Sequence, residues 1–482
     1  MTRADSCPRG AAVDGIEPAV ATTPQTPAPI EQPAGKGRSV ARPRPGGRIG
    51  WIVGVSLAAG FLAALLLALA PFIRNQESEV TGAVLCGFAL GWALLAFLSV
   101  RFTAQPQLWA VVPALFMGVC GLLLVLFGSP ADQVLGWVWP PALLVLAAWM
   151  AIQARRRLHS RSRWLLYPVI GVLALACLGG AYQTIGAQAD AAAFPVPGRL
   201  VNVGGYSLHL NCTGSGSPTV VLQPGAGEIS SNHGWIAAAV ARDTRVCVYD
   251  RAGRGWSGQP DTDQDATQIA TDLHTLLQAA DVPGPYVLAG HSFGGLYVLT
   301  YAARYPGEVA GMVLVDSTAP AGGPIQPPAP RAAPGSYDPV DRLCVLLSTP
   351  ARLGLARLYA PLEVGTLPPR SRDEVRANIS IPRNLRSTLE EYVRANDSMK
   401  EAASLRGFGD KPLVVLTAGS GSDGKHLADQ EELATLSTNS AHRTISEASH
   451  ESLVAVEKDA AGTTQAILDV VSSVRTGAPL PR

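Results

Sequence analysis

The sequence predicts a membrane α-helical bundle of five spans followed by a mostly parallel, doubly wound α/β sheet with an inserted helical lid. Three observations carry this reading. Residues 49–189 hold five uncharged apolar stretches, each long enough to cross a bilayer, which takes about 20 residues. From about residue 195, short β-rich runs alternate with helical patterns. An apolar run at 285–289 then passes straight into a helical pattern through Gly290-His291-Ser292-Phe293-Gly294-Gly295. Composition agrees: only 16% of the 482 residues are charged, against about 25% in an average soluble domain. The apolar excess lies almost entirely in 49–189.

Residues 1–48 are rich in Pro, Ala, Thr and Gly without apolar periodicity, which predicts a disordered tail and no signal peptide. The five spans fall between Arg48 and Arg74, Glu79 and Arg101, Arg101 and Asp132, Asp132 and Arg155, and Arg163 and Asp190. Pro140 and Pro141 predict a kink in the fourth. Trp109, Trp137, Trp164 and Tyr167 near span ends predict an aromatic belt. Lys36, Arg38, Arg42, Arg44, Arg48, Arg101, Arg155, Arg156, Arg157, Arg161 and Arg163 fall on one set of flanks, and only Arg74 and Arg199 on the other. This asymmetry predicts a cytoplasmic N-terminus and an extracytoplasmic C-terminal half. No span carries an internal ionisable residue, which favours an anchor over a transport pathway.

With 38 basic and 37 acidic residues, the net charge of +1 excludes a broad nucleic-acid surface, because that needs a basic field to displace counterions. The seven cysteines form no paired CxxC spacing, so neither a metal nor a cofactor is expected.

In the C-terminal half, 198–204 and 206–212 read as a hairpin, 219–223 and 244–250 as strands, and 232–241 and 266–280 as helices. At 290–295 the glycines permit a sharp strand–turn–helix corner that exposes the Ser292 hydroxyl. There the amide of Phe293 meets a developing oxyanion at a helix N-terminus. Pro224-Gly225-Ala226-Gly227 after a strand offers a second amide, that of Ala226, or else an ordinary turn. The loop 250–257 reads as scaffold. A serine needs a base, and His450, in a loop between a strand at 443–446 and the last helix, is the candidate, ahead of His426, His442 and His233. Two acids remain open to orient it: Asp316, ending the strand 311–316, and Asp423, after the strand 412–417. Either equally reads as a helix or turn cap.

The region 195–475 resembles the α/β-hydrolase superfamily in its serine-nucleophile branch of esterases and lipases, through 290–295, 250–257 and His450 in order. The resemblance implies an eight-stranded sheet, a Ser–acid–His triad and no metal. It also makes the strands bearing Cys212 and Cys247 neighbours, so a disulfide joins them if the half is exported. The domain is drawn as 195–482, with a lid at about 319–410 whose Leu343, Leu346, Leu347 and Leu353 line an apolar pocket. The function expected is hydrolysis of a small-molecule acyl ester or lipid at a membrane. The alternatives are a catalytically silent binding or sensing module, and a functional membrane region with an accessory hydrolase.

Overall fold

The computed structural model describes residues 45–158, 162–260, 262–320, 337–360 and 366–481. The tail at 1–44 and the Pro-rich start of the lid at 324–334 lie outside the described residues.

Five long apolar helices come first: α1 (Pro45–Ala68), α2 (Glu77–Phe102), α3 (Val111–Phe127), α4 (Ser129–Arg157) and α5 (Arg163–Ala193). Each has the length and composition to cross a membrane. Small residues let their backbones touch, as association between membrane helices requires. A Cβ at Gly87 would meet the Ala64 backbone, and one at Gly82 the Gly121 carbonyl. Pro140 and Pro141 lie inside α4, which continues through them. Trp137 and Trp164 are exposed at the bundle surface, but Trp109 is buried. Its indole donates to Gln107 Oε1 at 2.7 Å and packs against Trp92 and Trp149. Trp109 is therefore a core residue of the bundle and not part of an aromatic belt. An indole with a polar partner at its N–H is satisfied in an interior.

The sheet begins with β1 (Arg199–Asn202) and β2 (Ser207–Thr213), then β3 (Thr219–Gln223), α6 (Gly234–Val240), β4 (Val246–Tyr249) and α7 (Ala266–Ala279). It continues through β5 (Tyr286–His291), α8 (Phe293–Arg304) and β6 (Val309–Val315). The strand order is β1-β2-β4-β3-β5-β6-β7-β8. β1, β2 and β4 pair antiparallel, and every pairing from β4 to β8 is parallel. The central strands β3 and β5 are buried along their whole length, which is why they read as unbroken apolar runs. Cys212 and Cys247 stand opposite each other across β2 and β4 and form a disulfide.

After β6 come the lid helices α9 (Pro339–Ser348), α10 (Leu355–Tyr359), α11 (Pro369–Ile379), α12 (Pro382–Val393) and α13 (Ala395–Ala402). β7 (Leu413–Ala418), α14 (Gly424–Ala434), β8 (Ser440–Ile445), α15 (Ser452–Ala455) and α16 (Glu457–Thr476) complete the domain.

The lid rests on the bundle. Val345 joins Ala68, Ala70, Ile73, Val80 and Ala83 in one apolar cluster, with Leu346 packed against it. Arg352 pairs with Asp132 at 2.6 Å, and Arg357 with Asp190 at 2.7 Å. Leu343, Leu347 and Leu353 are exposed and do not line the cleft described below, contrary to the expectation from their helical spacing. On α9 it is Val345 and Leu346 that face protein.

Candidate active site

The corner after β5 is held by backbone. Ser292 has φ 54° and ψ −122°, a left-handed position that a side chain occupies only when its surroundings enforce it. Here its amide donates to the Val315 carbonyl at 3.1 Å, and its own carbonyl accepts from Gly295 at 3.0 Å and Thr318 at 3.1 Å. A Cβ at Gly294 would meet the Gln223 carbonyl, so the corner closes only with glycine there. The side chain faces a cleft of about 1320 Å³ that Asp316, Asp423, His426 and His450 also line.

Asp316 follows β6 with φ 43°, turned so that both carboxylate oxygens are used. Oδ2 lies 2.7 Å from His450 Nδ1, and Oδ1 lies 2.8 Å from His426 Nε2 and 3.0 Å from the Ala418 amide. Burial opposes the charge, yet these hydrogen bonds hold the carboxyl down to about 2. An ionised carboxylate can only accept, so His450 presents Nδ1–H to it. In the neutral ring this leaves Nε2 as a lone pair. Among the described residues no hydrogen bond joins Ser292 to His450, a pairing that is often loose before substrate binds.

Among the described residues no hydrogen bond joins Asp423 to His450. Asp423 caps α14, accepting from the His426 amide at 2.7 Å. Three other histidines have partners elsewhere. His209 pairs with Asp250 at 2.8 Å, His442 lies 2.8 Å from Thr417 Oγ1, and His274 sits beside Glu308. His233 is buried, and that burial lowers its pKa to about 4.

His291 is buried rather than merely packed away. Nδ1 lies 3.2 Å from Glu228 and Nε2 lies 3.1 Å from the His450 carbonyl. Both neighbours offer acceptors, an arrangement that favours the doubly protonated ring. Burial works against that charge, but Glu228 raises the pKa above the ordinary imidazole value. Glu228 is correspondingly held to about 2 despite its own burial. The pair was not visible in the sequence, since Glu228 is distant in the chain and carries no motif.

Phe293 follows Ser292 directly in the chain, and Ala226 follows Gly225. Phe293 opens α8, so its N–H has no partner within the helix. Gly225 lies against Ser292: a Cβ there would stand 3.0 Å from the serine Cβ. Arg251 donates to the carbonyls of Pro224 at 2.6 Å and Gly225 at 2.7 Å. In a trans peptide the C=O and the following N–H point oppositely, so the Ala226 amide is turned away from Arg251. The loop 250–257 is thus scaffold with a specific task. Glu391 of α12 completes it, pairing with Arg251 at 2.7 Å and Arg254 at 2.8 Å and accepting from the Gly227 amide at 3.2 Å. Sequence reasoning missed Glu391 because the lid's helical pattern offers several acidic residues and no means of choosing among them. Among the described residues no cluster of three or more His, Cys, Asp or Glu has the arrangement a metal would need.

Residues 218–454 match the family model for the alpha/beta hydrolase fold. An uncharacterized protein of Schizosaccharomyces pombe is 27% identical over 308 residues, covering 53% of this chain and 55% of that one. An uncharacterized vacuolar membrane protein of Saccharomyces cerevisiae is 28% identical over 132 residues, covering 23% of this chain and 20% of that one. The chain thus spans about half the length or less of the curated relatives it matches. The enol-lactonase of Burkholderia xenovorans LB400 superposes with a TM-score of 0.43 at 20% identity, covering 57% of this chain and all of that one. Residues 218–454 thus carry the α/β-hydrolase fold, behind five helices long and apolar enough to cross a membrane.

Proposed function

We propose that the chain is a membrane-anchored serine hydrolase that cleaves an ester or similar acyl bond on the extracytoplasmic side. The observation that carries this reading is the placement of Ser292 at a strained strand–helix corner, in one cleft with a His450 whose Nδ1 is held by Asp316. Ser292 Oγ attacks the acyl carbonyl while His450 Nε2 takes its proton. The amides of Phe293 and Ala226 stabilise the oxyanion, and Asp316 fixes the imidazole tautomer and supports its charge. Collapse of the tetrahedral adduct expels the alcohol, which receives the proton from His450. Water, activated by the same imidazole, then releases the acid and frees Ser292.

The arginine-rich flanks opposite the domain support its placement outside the cytoplasm, as does a disulfide between Cys212 and Cys247. The domain division 1–48, 49–189 and 195–482, with a lid at 319–410, belongs to the same proposal. The test is labelling of the full-length protein with a fluorophosphonate. Wild type labels and hydrolyses short acyl esters, and Ser292→Ala does neither. A folded wild-type protein without label or turnover overturns the reading.

A further inference from the structure

Five leucines of the lid are exposed although the lid packs against helices that cross the membrane. Leu343 and Leu347 on α9 are 54% and 53% exposed, Leu353 is 40%, and Leu355 and Leu358 on α10 are 54% and 65%. The charges between them point elsewhere. Arg352 is taken up by Asp132 and Glu77, and Arg357 by Asp190 and Gln183. Arg342 donates to the Ile73 carbonyl. All these partners lie at the same ends of the bundle: the α1–α2 connection, the start of α4 and the end of α5.

The depth of the lid follows from α5. A Cβ at Gly179 would meet the Leu353 carbonyl, so the lid backbone touches the helix there. Gly179 lies 16 residues beyond Arg163, or about 24 Å of helix. A span crosses roughly 30 Å of hydrocarbon, so this contact sits at or below the end of the apolar layer. Gly179 is also 11 residues short of Asp190, the next charge on the helix.

We propose that the lid is itself a membrane-docking surface, with Leu343, Leu347, Leu353, Leu355 and Leu358 seated at the headgroup–acyl boundary of the leaflet that the ends of α1, α4 and α5 reach. Arginines turned to protein and leucines turned outward match an element lying in the interface plane. The apolar surface it presents continues that of the bundle, where Tyr182 and Ile185 of α5 and Phe72 before α2 are likewise exposed. Lipid is the occupant that covers both. This inference concerns binding and does not depend on the hydrolytic reading.

The test uses full-length protein in phosphatidylcholine vesicles that carry a photoactivatable diazirine lipid, with the diazirine either close to the glycerol or at the acyl terminus. Adducts are mapped on the tryptic peptides 343–352 and 358–370 and compared with 459–475, the α16 peptide. The shallow probe is expected to label the two lid peptides at least fivefold above 459–475, and the terminal probe to label α5 but not the lid. The variant Leu343→Ser/Leu347→Ser/Leu355→Ser/Leu358→Ser is expected to lose the lid adducts at least threefold with the spans labelled as before. Lid peptides labelled no more than 459–475, labelled by the terminal probe as strongly as α5, or labelled undiminished in the variant would each overturn the proposal. The last of these would mean that the leucines are covered by protein or exposed to water.

Discussion

Glu391 of α12 reaches Arg251 at 2.7 Å, and through Arg251 the lid governs the loop that carries Ala226. Both side chains are almost wholly buried, and Arg254 shares the same carboxylate. Removing one partner of a buried pair leaves charge without compensation, at about 3–5 kcal/mol. Glu391→Gln is therefore expected to lower stability by about that amount in chemical denaturation. At temperatures where it remains folded, kcat on a short acyl ester should fall roughly tenfold or more, with KM changed less, since an oxyanion donor acts in the transition state. Unchanged kcat in a folded Glu391→Gln protein would detach the lid from the loop's function.

The two carboxylates left open by the sequence separate by mutation. Asp316→Asn leaves His450 Nδ1 without its anionic acceptor, and kcat is expected to fall about 10³–10⁴-fold. Asp423→Asn keeps a good helix cap, so activity should stay within about threefold of wild type. The opposite ranking, measured on one ester at saturation, would transfer the role to Asp423.

His291 predicts a pH dependence with a definite sign. Its pKa is raised in the fold, so its pairing with Glu228 stabilises fully below the unfolded imidazole value, about 6.5, and is lost as pH rises through the folded value. Glu228 is lowered to about 2, so its share is present above its ordinary carboxylate range and lost as pH falls toward 2. His233 and Asp316 also face this pair electrostatically. Thermal stability of wild type should decline from pH 6 to 9 more steeply than that of His291→Gln. Parallel profiles would mean that the ring is neutral in the fold.

The Cys212–Cys247 disulfide closes a separation of 35 residues. By loop entropy, Cys212→Ser/Cys247→Ser should lose roughly 3–4 kcal/mol of domain stability. Both cysteines lie on β2 and β4, away from the cleft, so esterase activity at 25 °C should persist. Equal denaturation midpoints with and without reductant would show that the bond is not formed.

Local features were legible and non-local ones were not. Ser292 was readable because strand, corner and helix occupy adjacent residues and glycines mark the turn. Asp316 and Asp423 were not separable, because both follow strands of similar pattern. They differ only in where the side chain turns, toward His450 in one case and onto the His426 amide in the other. Leu343 and Leu347 misled because an i, i+4 pair shows which face of a helix is apolar and not what that face meets. Trp109 misled for a related reason, since nearness to a span end says nothing about which side of the helix meets a neighbour. The helix α11 escaped notice because its sequence, PRSRDEVRANI, has too few apolar residues to show a period.

The hydrolase domain is joined to the bundle by the peptide chain after Ala193 and again through the lid, where Arg352 and Arg357 grip Asp132 and Asp190. A single linker would let the domain swivel above the bilayer and meet solutes from any direction. Two attachments on different helices remove that rotation, so the cleft keeps one fixed bearing relative to the five helices. Cutting the chain at residue 195 would break the first attachment and unseat the second. A fragment made that way would retain its sheet but lose its compass.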